Sequence, residues 1–141
     1  MNESQAFILA LQTNTYSTIK QIPKSDLHNH FVLGGDRAYL KEKTKITITP
    51  IHTPLNSMSE MNRWSCENLG KHFDTRKMRQ LLIEATFVQA KNDGVRVLEI
   101  GEDVWVLDAF FDHDINALID AFEHAHNTIA PDIELRLQKM S

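Results

Sequence analysis

Asp93-Gly94-Val95-Arg96-Val97-Leu98-Glu99-Ile100-Gly101 is the stretch on which the fold turns. Asp93-Gly94 stops a helix, because glycine takes the left-handed backbone that ends a helical run. Val95 to Ile100 is rich in β-branched and apolar residues, as a strand is, and Gly101 closes it. Upstream, Met78, Leu81, Leu82, Ala85 and Val88 recur at helical spacing. That predicts an amphipathic helix from Thr75 to about Asn92, with Asp74 as its cap. Downstream, Ile115, Leu118, Ile119, Phe122 and Ile129 share one face of a second helix, opened by Asp112 or Asp114 and closed by Pro131. Ile133-Glu134-Leu135-Arg136-Leu137 is a final strand. A further strand-like run, Asp26 to Leu33, lies upstream and is closed by Gly34-Gly35. Strand, helix, strand, helix, strand predicts an α/β protein with a parallel sheet and right-handed crossovers.

The amino-terminal half is less regular. Ser4 to Ile19 reads as one helix, with Ser4 as cap and Phe7, Ile8 and Leu11 on one face, ahead of Pro23. Asp36 is placed to cap a short helix over Arg37 to Lys43. Residues 44 to 73 are rich in Thr, Ser, Asn and Pro and read as a long excursion with one or two short helices. The chain has 141 residues, which predicts one domain, 1–141, with a real core. Fifteen Lys+Arg against nineteen Asp+Glu give a net charge of −4, which argues against a nucleic-acid partner. No apolar run approaches the roughly 18 residues of a membrane span, so no membrane partner is expected. The single cysteine, Cys66, excludes an internal disulfide framework and suits a reducing compartment. With no secretory leader evident, the expected location is cytoplasmic.

His28 and His30 carry the chemistry. On a strand, residues i and i+2 face the same way, roughly 6.5 Å apart along the chain. Two imidazoles so spaced can converge on one divalent metal, zinc foremost, at about 2.0–2.1 Å each. A bare H-x-H arises often by chance. Its place between a strand start and a glycine pair is what singles this one out. At the carboxyl end of a barrel strand, such a pair would sit where an active site forms. His52, His113 and His124 read as solvated and His72 as a cap or packing residue. His126, four residues after Phe122, reads as a satisfied core histidine. No G-x-S-x-G, P-loop or G-x-G-x-x-G is present.

Ile22-Pro23-Lys24-Ser25-Asp26-Leu27-His28-Asn29-His30 resembles the opening P-K-x-x-L-H-x-H of the adenosine deaminase family in the amidohydrolase superfamily. Arg79 to Gly101, with Glu84-Ala85, Asp93-Gly94-Val95 and Val97-Leu98-Glu99, is similar to that family's following helix and second strand. The resemblance implies a (β/α)8 TIM barrel of which this chain supplies the first strands and helices. It implies a catalytic zinc with His28 and His30 as its first-strand ligands. It also implies hydrolytic deamination, in which metal-activated water releases ammonia from a purine, so the partner is a small-molecule substrate of the purine nucleoside kind. By the same likeness the 44–73 excursion covers substrate, and Met61 and Trp64 line it. Where the family has L-D-G, this chain has Phe31-Val32-Leu33, so no sugar-contacting aspartate is carried over. The family's further ligands and its catalytic acid and base lie in later strands, so no catalytic residue is assigned here. Glu99 resembles the family's second-strand glutamate, but it reads first as a polar strand-end residue.

Two other readings stand beside this one. D-L-H-x-H also opens other metal-dependent hydrolase barrels, phosphoesterases among them. A non-catalytic truncated product or assembly module is the third. Three strands cannot close a barrel. Their edges, with Leu27, Val97 and Leu135 or their alternates uncovered, predict self-association or dependence on a carboxyl-terminal portion.

Overall fold

The computed structural model describes residues 1–101 and 109–138. Its sheet has three parallel strands, β1 (Lys24–His30), β2 (Val95–Gly101) and β3 (Glu134–Leu137), in the order β1-β2-β3. Ahead of β1 stand α1 (Glu3–Gln12) and α2 (Tyr16–Gln21). Between β1 and β2 run α3 (Phe31–Gly34), α4 (Arg37–Thr44), α5 (Met58–Ser65), a π-helical turn (Cys66–Gly70) and α6 (Arg76–Asn92). Between β2 and β3 lies α7 (Ile115–Ile129). The α/β alternation and the parallel sheet are as the sequence predicts.

Capping explains most boundaries. The Asp36 side chain accepts the Tyr39 amide and opens α4, and Asp114, of the two candidates, accepts the Asn116 amide and opens α7. The cap of α6 is Thr75 rather than Asp74: its hydroxyl accepts the Met78 amide at 3.3 Å. Gly94 ends that helix at φ 73°, and a side chain there would meet the Lys20 carbonyl. The single helix expected over Ser4 to Ile19 is two. Asn2, not Ser4, caps α1 through a reciprocal bond with Gln5. Asn14 at φ 51° then breaks the run, with the Thr13 hydroxyl donating back to the Leu9 carbonyl. The excursion holds α5 and the π-helical turn, in line with the one or two short helices expected.

The core lies between the sheet and two helices. Leu82, Ile83 and Phe87 of α6, Leu98 and Ile100 of β2, and Leu118 and Phe122 of α7 form one buried cluster. Leu135 pairs with Leu98 and packs against this cluster, whereas Leu27 is 55% exposed. β1 ends at His30 instead of running on to Leu33. The next residue, Phe31, is 0% exposed and lies edge-on to Phe122, with ring centroids 5.7 Å apart. The Phe31 carbonyl accepts the Thr86 hydroxyl at 3.1 Å. Burying that ring and satisfying that carbonyl turn the chain out of the sheet into α3. Among the described residues, no helix is long and apolar enough to cross a membrane.

Candidate metal centre

His28 and His30 come together at the carboxyl end of β1. Their Nε2 atoms lie 3.0 Å apart, with ring centroids 4.8 Å apart and planes at 69°. With metal–nitrogen bonds of about 2.05 Å, this separation subtends about 94° at a shared ion, as for two cis ligands; an ideal tetrahedral pair sits about 3.35 Å apart. Both side chains are exposed, so the pair is open to solvent.

An irregularity in β1 delivers them there. The register advances from Asp26 to Asn29 in β1 while β2 advances only from Leu98 to Ile100. One extra residue on one strand is a bulge, a device common beside functional sites. Asp26 secures it: one carboxylate oxygen accepts the Asn29 side-chain amide at 2.7 Å and the other faces the His28 amide at 3.5 Å. Beyond the bulge, Asn29 pairs with the buried Ile100, and His30 pairs with Gly101.

Beside His28 stands Gln138, a residue that no sequence pattern singles out. The Gln138 side-chain nitrogen lies 3.1 Å from the Leu27 carbonyl, 3.1 Å from His28 Nδ1 and 3.4 Å from a Glu99 carboxylate oxygen. Gln138 follows β3 and reaches across β2 to β1. It crosses above Gly101, where a side chain would come within 2.9 Å of the Gln138 Cβ. The only sequence signal was Gly101 itself, legible as a strand end and not as the gap through which Gln138 passes. Glu99 joins this cluster through Gln138 and makes no direct bond to either histidine.

The donor set suits a divalent cation in part. Two imidazoles converge as cis donors, and among the described residues no group of three His, Cys, Asp or Glu is placed to share an ion. The remaining histidines lie apart from the pair. His52, His72, His113 and His124 are exposed, and half-buried His126 meets the Ile133 carbonyl at 2.7 Å. Cys66 is exposed at the start of the π-helical turn. Met61 and Trp64 line a cavity of about 420 Å³ with Val32, Leu40 and Leu82, between the excursion and α4 and α6. No protein-family model matches this chain, and no curated protein matches it either.

Proposed function

We propose that this chain carries the first-strand half of a metal centre of the adenosine deaminase type, in a metal-dependent hydrolase acting on a purine nucleoside or a related small molecule. The observation that carries this reading is the 3.0 Å approach of His28 Nε2 and His30 Nε2 at the carboxyl end of β1. The pair stands beside the carboxyl ends of β2 and β3, the end of a (β/α)8 barrel at which catalysis takes place. The parallel order β1-β2-β3 suits the opening of such a barrel, with β1 and β3 each paired on one side among the described residues. The lone exposed Cys66 suits a cytoplasmic setting.

In this reading His28 and His30 hold a divalent cation, zinc by preference. When bound, the cation supplies the Lewis acidity that makes water nucleophilic near neutral pH. The chain's own part is to present the two imidazoles on a rigid strand, braced from behind by buried Phe31. The Asp26–Asn29 bond holds the bulge that turns the pair to the open side of the sheet. Among the described residues the ligands are these two, fewer than the three or four of a tight site, so weak zinc binding is expected. Metal analysis after equilibration with zinc tests the reading. The unaltered chain is expected to retain zinc and a His28→Ala/His30→Ala variant to lose it. Equal zinc in both overturns it.

A further inference from the structure

We infer that Gln138 is a positioning residue that fixes the tautomer of His28 and holds the metal-free pair in a hydrogen-bonded form that a cation must displace. The inference rests on the metal-centre reading for its consequence, not for its geometry.

The orientation of the Gln138 amide is set by acceptors. Its nitrogen faces the Leu27 carbonyl at 3.1 Å and a Glu99 carboxylate oxygen at 3.4 Å. Neither group has a proton to give, so turning the amide over would set its oxygen against two other oxygens. The amide nitrogen has two protons, and its two nearer neighbours, at 3.1 Å each, are the Leu27 carbonyl and His28 Nδ1, so it faces Nδ1 as a donor while the Glu99 oxygen stands farther off. An imidazole nitrogen that accepts a hydrogen bond carries no proton, so the proton of neutral His28 sits on Nε2. From there it is donated to His30 Nε2 at 3.0 Å.

This is the wrong tautomer for ligation through Nε2. Ligating histidines commonly turn the other ring N–H toward a carboxylate or carbonyl, which leaves the ligating nitrogen its lone pair. Here the proton must leave His28 Nε2 for Nδ1, and Gln138 stands opposite Nδ1 with a donor. Gln138 thus opposes the metal form by about one hydrogen bond. The main-chain amide of Gln138 bonds the Ile100 carbonyl at 2.9 Å independently of its side chain, so the end of β3 survives substitution.

The experiment reads the tautomer directly, by long-range proton–nitrogen correlation spectra of the nitrogen-15-labelled, metal-free chain, with His28 assigned through a His28→Asn variant. His28 is expected with its proton on Nε2 in the unaltered chain. In Gln138→Leu, or Gln138→Met should the first fail to fold, that preference is lost. Zinc affinity, measured by competition with a chromophoric chelator, is expected to rise about tenfold, the equivalent of one net hydrogen bond. A proton on Nδ1 in the unaltered chain overturns the inference. So does a His28 tautomer that both substitutions leave unchanged, or a zinc affinity that falls with them. If the tautomer responds as expected while neither chain binds zinc, the positioning role stands and the metal-centre reading fails.

Discussion

Truncating Phe31 to alanine tests whether the core and the histidine pair form one mechanical unit. The ring is wholly buried and packs edge-on against Phe122 of α7, at 5.7 Å and 75°. Removing a buried phenylalanine side chain costs about 3–5 kcal/mol, of which the aromatic pair accounts for about 0.5–1.5. The Phe31 carbonyl stays bonded to Thr86, so the chain path is not released entirely and the middle of that range, about 4 kcal/mol, is the expected loss. Urea unfolding followed by far-ultraviolet circular dichroism measures it. At a slope of about 2 kcal/mol per molar, the midpoint falls by about 2 M. Such a loss is a large part of the roughly 5–15 kcal/mol that holds a domain together. Phe31→Leu, which keeps much of the volume, is therefore the graded companion, with an expected loss of about 1–1.5 kcal/mol. A loss under about 1 kcal/mol in Phe31→Ala would mean that the end of β1 is not anchored through this ring. The pair would then owe its position to the bulge alone.

Other outcomes follow from the same structure. The 141-residue chain is expected to show no adenosine deamination in an ultraviolet assay, because no residue here is assigned as its acid or base and proton transfer contributes about 10²–10⁴-fold; saturable zinc-dependent turnover abolished by His28→Ala/His30→Ala would refute this. Burial, aided by its hydrogen bond to Glu84, pushes the Tyr39 hydroxyl above the ordinary tyrosine value. The unfolded chain therefore ionises first, and the contribution of this group is full below about pH 10 and declines above it. Tyr39→Phe lacks this alkaline loss, so its stability relative to the unaltered chain improves as pH rises past about 10; parallel melting curves from pH 8 to 11 check the sign. Among the described residues β1 and β3 are each unpaired on one edge, with exposed Leu27 on β1, which predicts association at micromolar concentration. Light scattering that finds a stable, cooperatively unfolding monomer would show those edges to be protected.

The helices and strands of the second half were legible because their periodicities differ: Met78 to Val88 repeats at helical spacing, and Val95 to Ile100 does not. Boundaries were less legible, for local reasons. Asp74 and Thr75 are both good caps, and only the observed path of the chain decides for Thr75. The break in the first helix rests on Asn14 in the left-handed region, a conformation asparagine tolerates without announcing it. Phe31-Val32-Leu33 has strand composition, yet the first of these residues is needed in the core and leaves the sheet. His28 and His30 were legible as a pair. Gln138 was not, because its role depends on a reach across β2 above Gly101 that no spacing rule encodes.

The pair itself was found by a rule that the strand does not strictly obey. Asp26 pairs with Leu98, a residue of the buried, helix-covered side of the sheet. Under strict alternation Asp26, His28 and His30 would all share that side, and both imidazoles would be driven into the core. The extra residue between Asp26 and Asn29 shifts the alternation by one. Asn29 takes the place beside Ile100, and Leu27 and His28 in succession lie exposed. His30 then returns to the ladder opposite Gly101, on the same side as His28, with their Nε2 atoms 3.0 Å apart. The same shift leaves Phe31 directed inward, so the residue that anchors the strand and the residues offered to a ligand are separated by one step of backbone. A regular strand with this sequence would bury two histidines and at the same time expose a phenylalanine. The bulge, held by the Asp26–Asn29 bond, removes that conflict.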